Sequence, residues 1–252
     1  ILRDTRSSQE LSYPHFHHDL HSLRFGSDPC ETPILRPKSS LPVLGFCGFA
    51  PPINTQFNIQ KIKDILKVVL YLFSLPRFRN SSAHAVRALS LMILLLSSKI
   101  HANFIIRKSF AFNRFGVLQP GGSSKLASIQ RNEYISNILN SDYTLCIRGI
   151  ANSSIRLYET LCLGRLPLII NTNCGFPAED FIDYSSIGLI IDEKDIFRIS
   201  RILLRFHNSV SASDFHLRQT NSRAAWLEWL SPVGFFGKID LLASKHLRVY
   251  PD

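Results

Sequence analysis

From Tyr143 onward the chain alternates short apolar runs with segments of helical period, and this alternation constrains the fold more than any other feature. Tyr143–Ile147, Leu168–Ile170 and Gly188–Ile191 are apolar runs of strand length. Between and after them, Ser154–Leu163, Lys194–Phe206 and Phe215–Leu230 place apolar residues at helical spacing. Gly164 directly follows the first of these helices, as expected for a left-handed C-terminal stop. Strands that are apolar throughout and alternate with helices predict an α/β fold, an open parallel sheet covered by helices on both faces.

The first half reads less regularly. Residues 1–40 are polar, with Pro14, Pro33 and Pro37 and a cluster of His15, His17, His18 and His21. They are expected to be a linker or the tail of an incomplete N-terminal domain, and the histidines solvated and not metal-bound. A strand follows at Pro42–Gly48, then helices over Ile59–Phe73 and Ala83–Leu96, a strand at Asn103–Arg107, a loop at Gly121–Ser124 and a helix at Asn132–Leu139. The most apolar run, Ala88 to Leu96, is about half the ~20 residues of a spanning helix, so it predicts a buried core helix. Trp226 and Trp229, three apart beside Leu227 and Leu230, predict a packing face.

Composition narrows the function classes. With 252 residues and 45% hydrophobic content the chain can bury a sizeable core, which excludes a disordered protein. Five cysteines without a CxxC pair argue against a disulfide framework or zinc ribbon and for a reducing, cytoplasmic setting. A formal charge of +10 makes an anionic partner worth considering. Nucleic acid is the weaker choice, because Lys and Arg are scattered and no recognition module is present. Peripheral contact with an anionic membrane surface stays open.

In a parallel α/β sheet, ligands bind beyond the carboxyl ends of the strands. The segment Cys146–Glu159 leaves a strand, turns at Arg148-Gly149 and enters a helix capped by Asn152 or Ser153. N–H groups at that helix start, with Arg148 beside them, suit a phosphate. Arg156 and Glu159 are three apart on one helix face, a spacing equally usual for a solvated surface pair. On spacing alone, the surface pair is the better reading.

The stretch Ser141–Asp195 nonetheless resembles exostosin-like glycosyltransferases, inverting enzymes of the GT-B fold. The likeness is carried by Ser141-Asp142-Tyr143-Thr144-Leu145-Cys146-Ile147-Arg148-Gly149, Ser154-Ile155-Arg156-Leu157-Tyr158-Glu159, Gly164-Arg165-Leu166-Pro167-Leu168-Ile169-Ile170-Asn171, Pro177 and Ile182-Asp183. Weaker matches are Gly45-Phe46-Cys47-Gly48, Asn103–Arg107 and Leu230–Phe236. The resemblance implies a Rossmann-like, GT-B type C-terminal domain over residues 41–236, followed by a tail at 237–252. It implies transfer of a sugar from a nucleotide-sugar donor, first among them a UDP-sugar, to a glycan acceptor.

By the same resemblance Arg148 and Arg156 hold the diphosphate, Ser154 and backbone at Gly149 its oxygens, and Glu159 the ribose. No metal or other cofactor is expected, and no catalytic base is assigned. The chain departs from the family pattern at Ala151, where a Gly is usual, at Asn173, where an acid is usual, and at Asp183-Tyr184, where Asp-Trp is usual. These departures raise the alternative of a non-catalytic glycosyltransferase-like domain acting in a complex. Ile1 without an initiator Met, and the position of the motifs, are expected for the C-terminal portion of a larger transferase, placed in the Golgi lumen if eukaryotic.

Overall fold

A computed structural model describes residues 14–25, 33–50, 83–107, 125–149 and 152–247, together with the isolated positions 63, 66 and 69. Five parallel strands form one sheet: β1 (Val43–Phe49), β2 (His101–Arg107), β3 (Tyr143–Cys146), β4 (Leu166–Asn171) and β5 (Leu189–Asp192). Their spatial order is β2-β1-β3-β4-β5, so the order reverses between β1 and β3. That is a doubly wound arrangement with its switch point at those two strands.

Helices α1 (Leu20–Phe25), α2 (Ala83–Leu95), α3 (Lys125–Leu139), α4 (Ile155–Cys162), α5 (Tyr184–Ile187), α6 (Ile199–Ser209), α7 (Ala212–Ala225), α8 (Pro232–Phe236) and α9 (Ile239–Leu247) complete the described fold. Strand residues alternate between two cores, as period-2 geometry requires. Leu166, Leu168 and Ile170 of β4 join Leu89, Leu91 and Leu94 of α2 and Leu203 of α6 on one face. Ile169 points the other way, into a core with Ile135 and Ile138 of α3, Leu157 and Leu161 of α4, and Trp226. The expected two-faced α/β sheet is present.

Several boundaries differ for identifiable reasons. The helix expected over Lys194–Phe206 begins as a 3₁₀ turn, Glu193–Arg198, and only then becomes α6. The helix expected over Phe215–Leu230 starts earlier, because the Ser211 hydroxyl caps Asp214 N–H, and it ends in a π turn at Trp226–Leu230. Helix α3 also starts earlier than expected, at Lys125. Of the expected Ala88–Leu96 core helix, α2 holds all but Leu96 and buries Ala88, Leu89, Leu91 and Leu94, while Met92, Leu95 and Leu96 are exposed. Among the described residues no helix is long and apolar enough to cross a membrane. The helix expected over Ile59–Phe73 lies outside the described residues except at Lys63, Leu66 and Val69, which are helical.

The described part of the N-terminal lead-in is packed against the sheet domain. Asp19 caps α1 through the N–H groups of His21 and Ser22 and forms a two-pronged ion pair with Arg223, 2.7 and 3.0 Å. Arg223 is fully buried, donates to the Cys162 carbonyl at 2.8 Å and lies over Trp226. His17 stacks on Trp226, Phe16 packs on Phe235, and His21 is buried. The expectation of solvated histidines therefore fails at His21, because partners far along the chain cover it. Further on, Arg36 pairs with buried Asp142 at 2.8 Å. Gly164, at φ +61°, closes α4 as expected, and a Cβ there would stand 2.3 Å from Pro33. At the other end, the expected tail carries α9, with Leu242 buried.

Candidate functional site

The carboxyl ends of β1 and β3 meet at the switch point, and two guanidinium groups are built into that junction. Arg87 of α2 donates to the Phe49 carbonyl at 3.0 Å and to the Arg148 carbonyl at 2.7 Å, tying the two strand ends together. Burial and the nearby charge of Arg156 lower its pKa to about 10, so it stays charged at neutral pH. Arg156 of α4 donates to the Cys47 carbonyl at 2.7 Å and the Leu145 carbonyl at 3.4 Å, with its guanidinium over the Phe46 ring. Burial opposes its charge, but Tyr134, Cys146 and Glu159 outweigh burial and raise its pKa. A Cβ on Gly48 would sit 2.8 Å from Arg156 Nη2, so a larger residue there would push the guanidinium from its place.

Glu159, one turn further along α4, accepts a hydrogen bond from the Tyr134 hydroxyl through Oε2. Arg156 and Glu159 thus do share a face, but it is the face toward α3 and the β1 end. The order reversal would place a ligand between β1 and β3; here that crevice is filled by the protein's own arginines.

One strand over, the loops after β3 and β4 enclose a small cleft of about 20 Å³. Arg148, Ser153 and Ser154 line it from the β3–α4 loop, Thr172 and Phe176 from the loop after β4, and Leu157 and Ile169 supply apolar walls. The cleft is far below the ~300–1,000 Å³ of complete ligand pockets, so it can take one small group of a ligand and not a whole one. Arg148 is only 7% exposed, and its Nε is buried with no hydrogen-bond partner among the described residues. The Nε groups of Arg87 and Arg156 are also buried without a hydrogen-bond partner among the described residues, so what sets Arg148 apart is its place on the cleft. Its charge is felt by Cys174, whose thiol burial pushes up and Arg148 pulls down.

Ser154 is the N-cap of α4, in extended conformation, and its side chain makes no cap hydrogen bond. Of the first-turn N–H groups of this eight-residue helix, that of Leu157 is taken by the Ser154 carbonyl at 3.1 Å, while the helix start adjoins the cleft through Ser154 and Leu157. Gly149 N–H donates to the Ser153 carbonyl at 3.2 Å, folding the loop back on itself.

Of the five residues expected to form the site, the cleft collects Arg148 and Ser154, with Gly149 adjoining. Arg156 and Glu159 stand behind it on the α3 side. Asn152, expected as a cap alternative to Ser153, instead bolts the two loops together: its amide donates to the Thr172 and Asn173 carbonyls at 3.2 Å each and accepts from Thr172 Oγ1 at 2.7 Å. Asn173 adopts φ +61°, a left-handed conformation that Asn tolerates better than most residues, which accounts for its presence there. Ala151 lies outside the described residues.

Sequence reasoning missed three contributors. Arg87 and Tyr134 act only through tertiary contacts and carry no local signature. His15 sits over the start of α4, its Nε2 2.7 Å from Ser153 Oγ and its ring against Tyr158. The cluster of histidines was visible, but its partner is 138 positions away. Among the described residues no group of three His, Cys, Asp or Glu is placed to hold a metal ion.

Comparison with known proteins follows the same segments. Residues 76–206 match the model of the exostosin GT47 domain family, just over half of the chain. A protein of Oryza sativa subsp. japonica named probable glucuronosyltransferase is 36% identical over 70 residues, 28% of this chain and 16% of the relative. An Exostosin-1 homolog of Caenorhabditis elegans is 32% identical over 74 residues, 29% of this chain and 19% of the relative. A probable beta-1,4-xylosyltransferase of Arabidopsis thaliana is 34% identical over 70 residues, 28% of this chain and 17% of the relative. The chain thus aligns with less than a fifth of the length of each of these three relatives.

Proposed function

The chain belongs to the exostosin GT47 family, and from that premise we propose that it forms the donor-binding side of a glycosyltransferase, holding the diphosphate of a nucleotide sugar in the cleft between the β3–α4 and β4–α5 loops. The observation that carries this reading is Arg148, a buried guanidinium whose Nε lacks a partner, beside the uncapped N-terminus of α4. A diphosphate supplies the missing negative charge, accepts hydrogen bonds from Arg148 and Ser154, and lies against the positive end of the helix. As the leaving group of a glycosyl transfer, it gains negative charge as the bond to the sugar breaks, and fixed donors stabilise the charge developing in the transition state.

The ribose and base extend from the cleft toward Glu159, whose carboxylate, held by Tyr134, is suited to grip vicinal hydroxyls. Arg156 acts from behind, adding positive charge without touching the ligand. A UDP-sugar is the donor and a glycan hydroxyl the acceptor, with inversion at the transferred carbon. No residue of the chain is assigned as general base.

Calorimetric titration of the chain with UDP tests the reading. Loss of one charge-assisted contact is worth about 1.5–3 kcal/mol, so Arg148→Met is expected to weaken UDP roughly 10- to 150-fold. Glu159→Ala is expected to weaken UDP and uridine alike. Equal binding of UDP by wild type and Arg148→Met, or none by wild type, overturns the assignment.

A further inference from the structure

The His15–Ser153 contact has no place in the reading above, yet it stands at the edge of the cleft. Ser153 lines the cleft beside Arg148, and its own carbonyl is fixed by Gly149 N–H. Its hydroxyl has one proton to give. If His15 Nε2 accepts that proton, the hydroxyl turns lone pairs toward the cleft and repels an anion. If Nε2 carries hydrogen and donates, the hydroxyl proton is released to point at the ligand. An anion in the cleft therefore selects a donating state of His15, either the neutral ring with hydrogen on Nε2 or the imidazolium, and the anion's charge favours the imidazolium.

We infer that His15 is a positioning residue that couples occupancy of the cleft by a diphosphate to the uptake of a proton, acting through the Ser153 hydroxyl. The inference rests on the donor-site reading. The groups facing the ring from α4 are the Glu159 carboxylate and the Tyr158 phenol ring; across Ser153 stands Arg148. Burial lowers the His15 pKa below its usual value and Glu159 pulls it up less strongly, so the ring is neutral at pH 7 when the cleft is empty. A bound diphosphate adds the negative charge that tips this balance. By linkage, proton and ligand then favour each other reciprocally.

The test is titration of the full chain with UDP and, separately, with uridine, at pH 7 in two buffers of different ionisation enthalpy. UDP binding to wild type is expected to take up a substantial fraction of one proton, and its affinity to fall as pH rises, by at most about tenfold per pH unit. Uridine is expected to take up none. His15→Gln keeps a side-chain donor without a titrating group: it is expected to lose the extra uptake while recovering affinity that His15→Phe loses. The ionisation of UDP itself is common to all variants and cancels in the comparison. Imidazole nitrogen shifts of His15 are expected to move toward the protonated form on adding UDP. Equal proton uptake by wild type and His15→Gln, or unmoved His15 shifts, overturns the coupling. Absence of UDP binding by wild type overturns the donor-site reading instead.

Discussion

Substituting Asp19 by Asn tests whether the N-terminal segment is an integral part of the fold. Asn keeps the shape and the capping oxygen for α1, but it removes the charge and sets an amide donor where Oδ2 accepts from Arg223 Nη2. Arg223 is fully buried, while the Asp19 side chain is 19% exposed. Removing one partner of a buried pair costs about 3–5 kcal/mol, because the other charge is left uncompensated. The exposed edge of Asp19, and the Cys162 carbonyl that still accepts from Arg223, place the expected loss near the lower end, at about 3 kcal/mol. For a domain of this size that corresponds to roughly 6–12 °C in Tm.

Urea unfolding followed by tryptophan fluorescence is the direct assay, since both tryptophans, Trp226 and Trp229, lie in the affected region and Trp226 stacks against both Arg223 and His17. Adding Arg223→Met to Asp19→Asn removes the stranded charge. The double variant is expected to be more stable than the sum of the singles predicts, by about 2 kcal/mol. A loss under about 1 kcal/mol for Asp19→Asn, with additive double-variant behaviour, would refute the reasoning.

Three further outcomes are expected. Gly164→Ala combines a left-handed backbone, worth about 1–2 kcal/mol, with a collision against Pro33, so urea unfolding should show a loss of about 2–4 kcal/mol. Burial raises the Asp19 carboxyl, but hydrogen bonds and charge from Arg223 lower it further, to about 2. Its stabilisation is complete above the unfolded carboxyl range and is lost as pH falls toward 2; screening at its exposed edge limits it to about 1–2 kcal/mol. Urea midpoints between pH 5 and 2 should accordingly fall less steeply in Asp19→Asn than in wild type. Asn152→Ala unbolts the two cleft loops and should weaken UDP binding several-fold in calorimetry while lowering stability by about 1–2 kcal/mol, whereas loss of stability alone would mean that the loops keep their places without it.

The sheet was legible because its signals are local. Tyr143–Cys146 and Leu189–Asp192 are apolar runs of strand length, and Gly164 announces a left-handed stop whatever surrounds it. The site was legible only in part. Arg148 and Ser154 follow from a strand, a turn and a helix start, which are consecutive in the chain. That Arg156 would spend its donors on the carbonyls of Cys47 and Leu145 depends on β1 lying beside β3, a crossover that no window of sequence contains. The same holds for residues 14–25: their polarity reads as a linker, and only Arg223, two hundred positions on, supplies the charge that makes the half-buried Asp19 an anchor.

The arginines that fill the switch-point crevice have a kinetic consequence. Arg87 and Arg156 are fixed by backbone carbonyls; Arg156 feels the Glu159 carboxylate, while the charge of Arg87 is oriented without being neutralised. Together with Arg148 they form a standing positive field beneath the mouth of the cleft. Such a field raises the encounter rate of a polyanion and fades with ionic strength, while the rate of escape depends on contacts inside the cleft. Salt therefore governs how fast a diphosphate arrives far more than how long it stays.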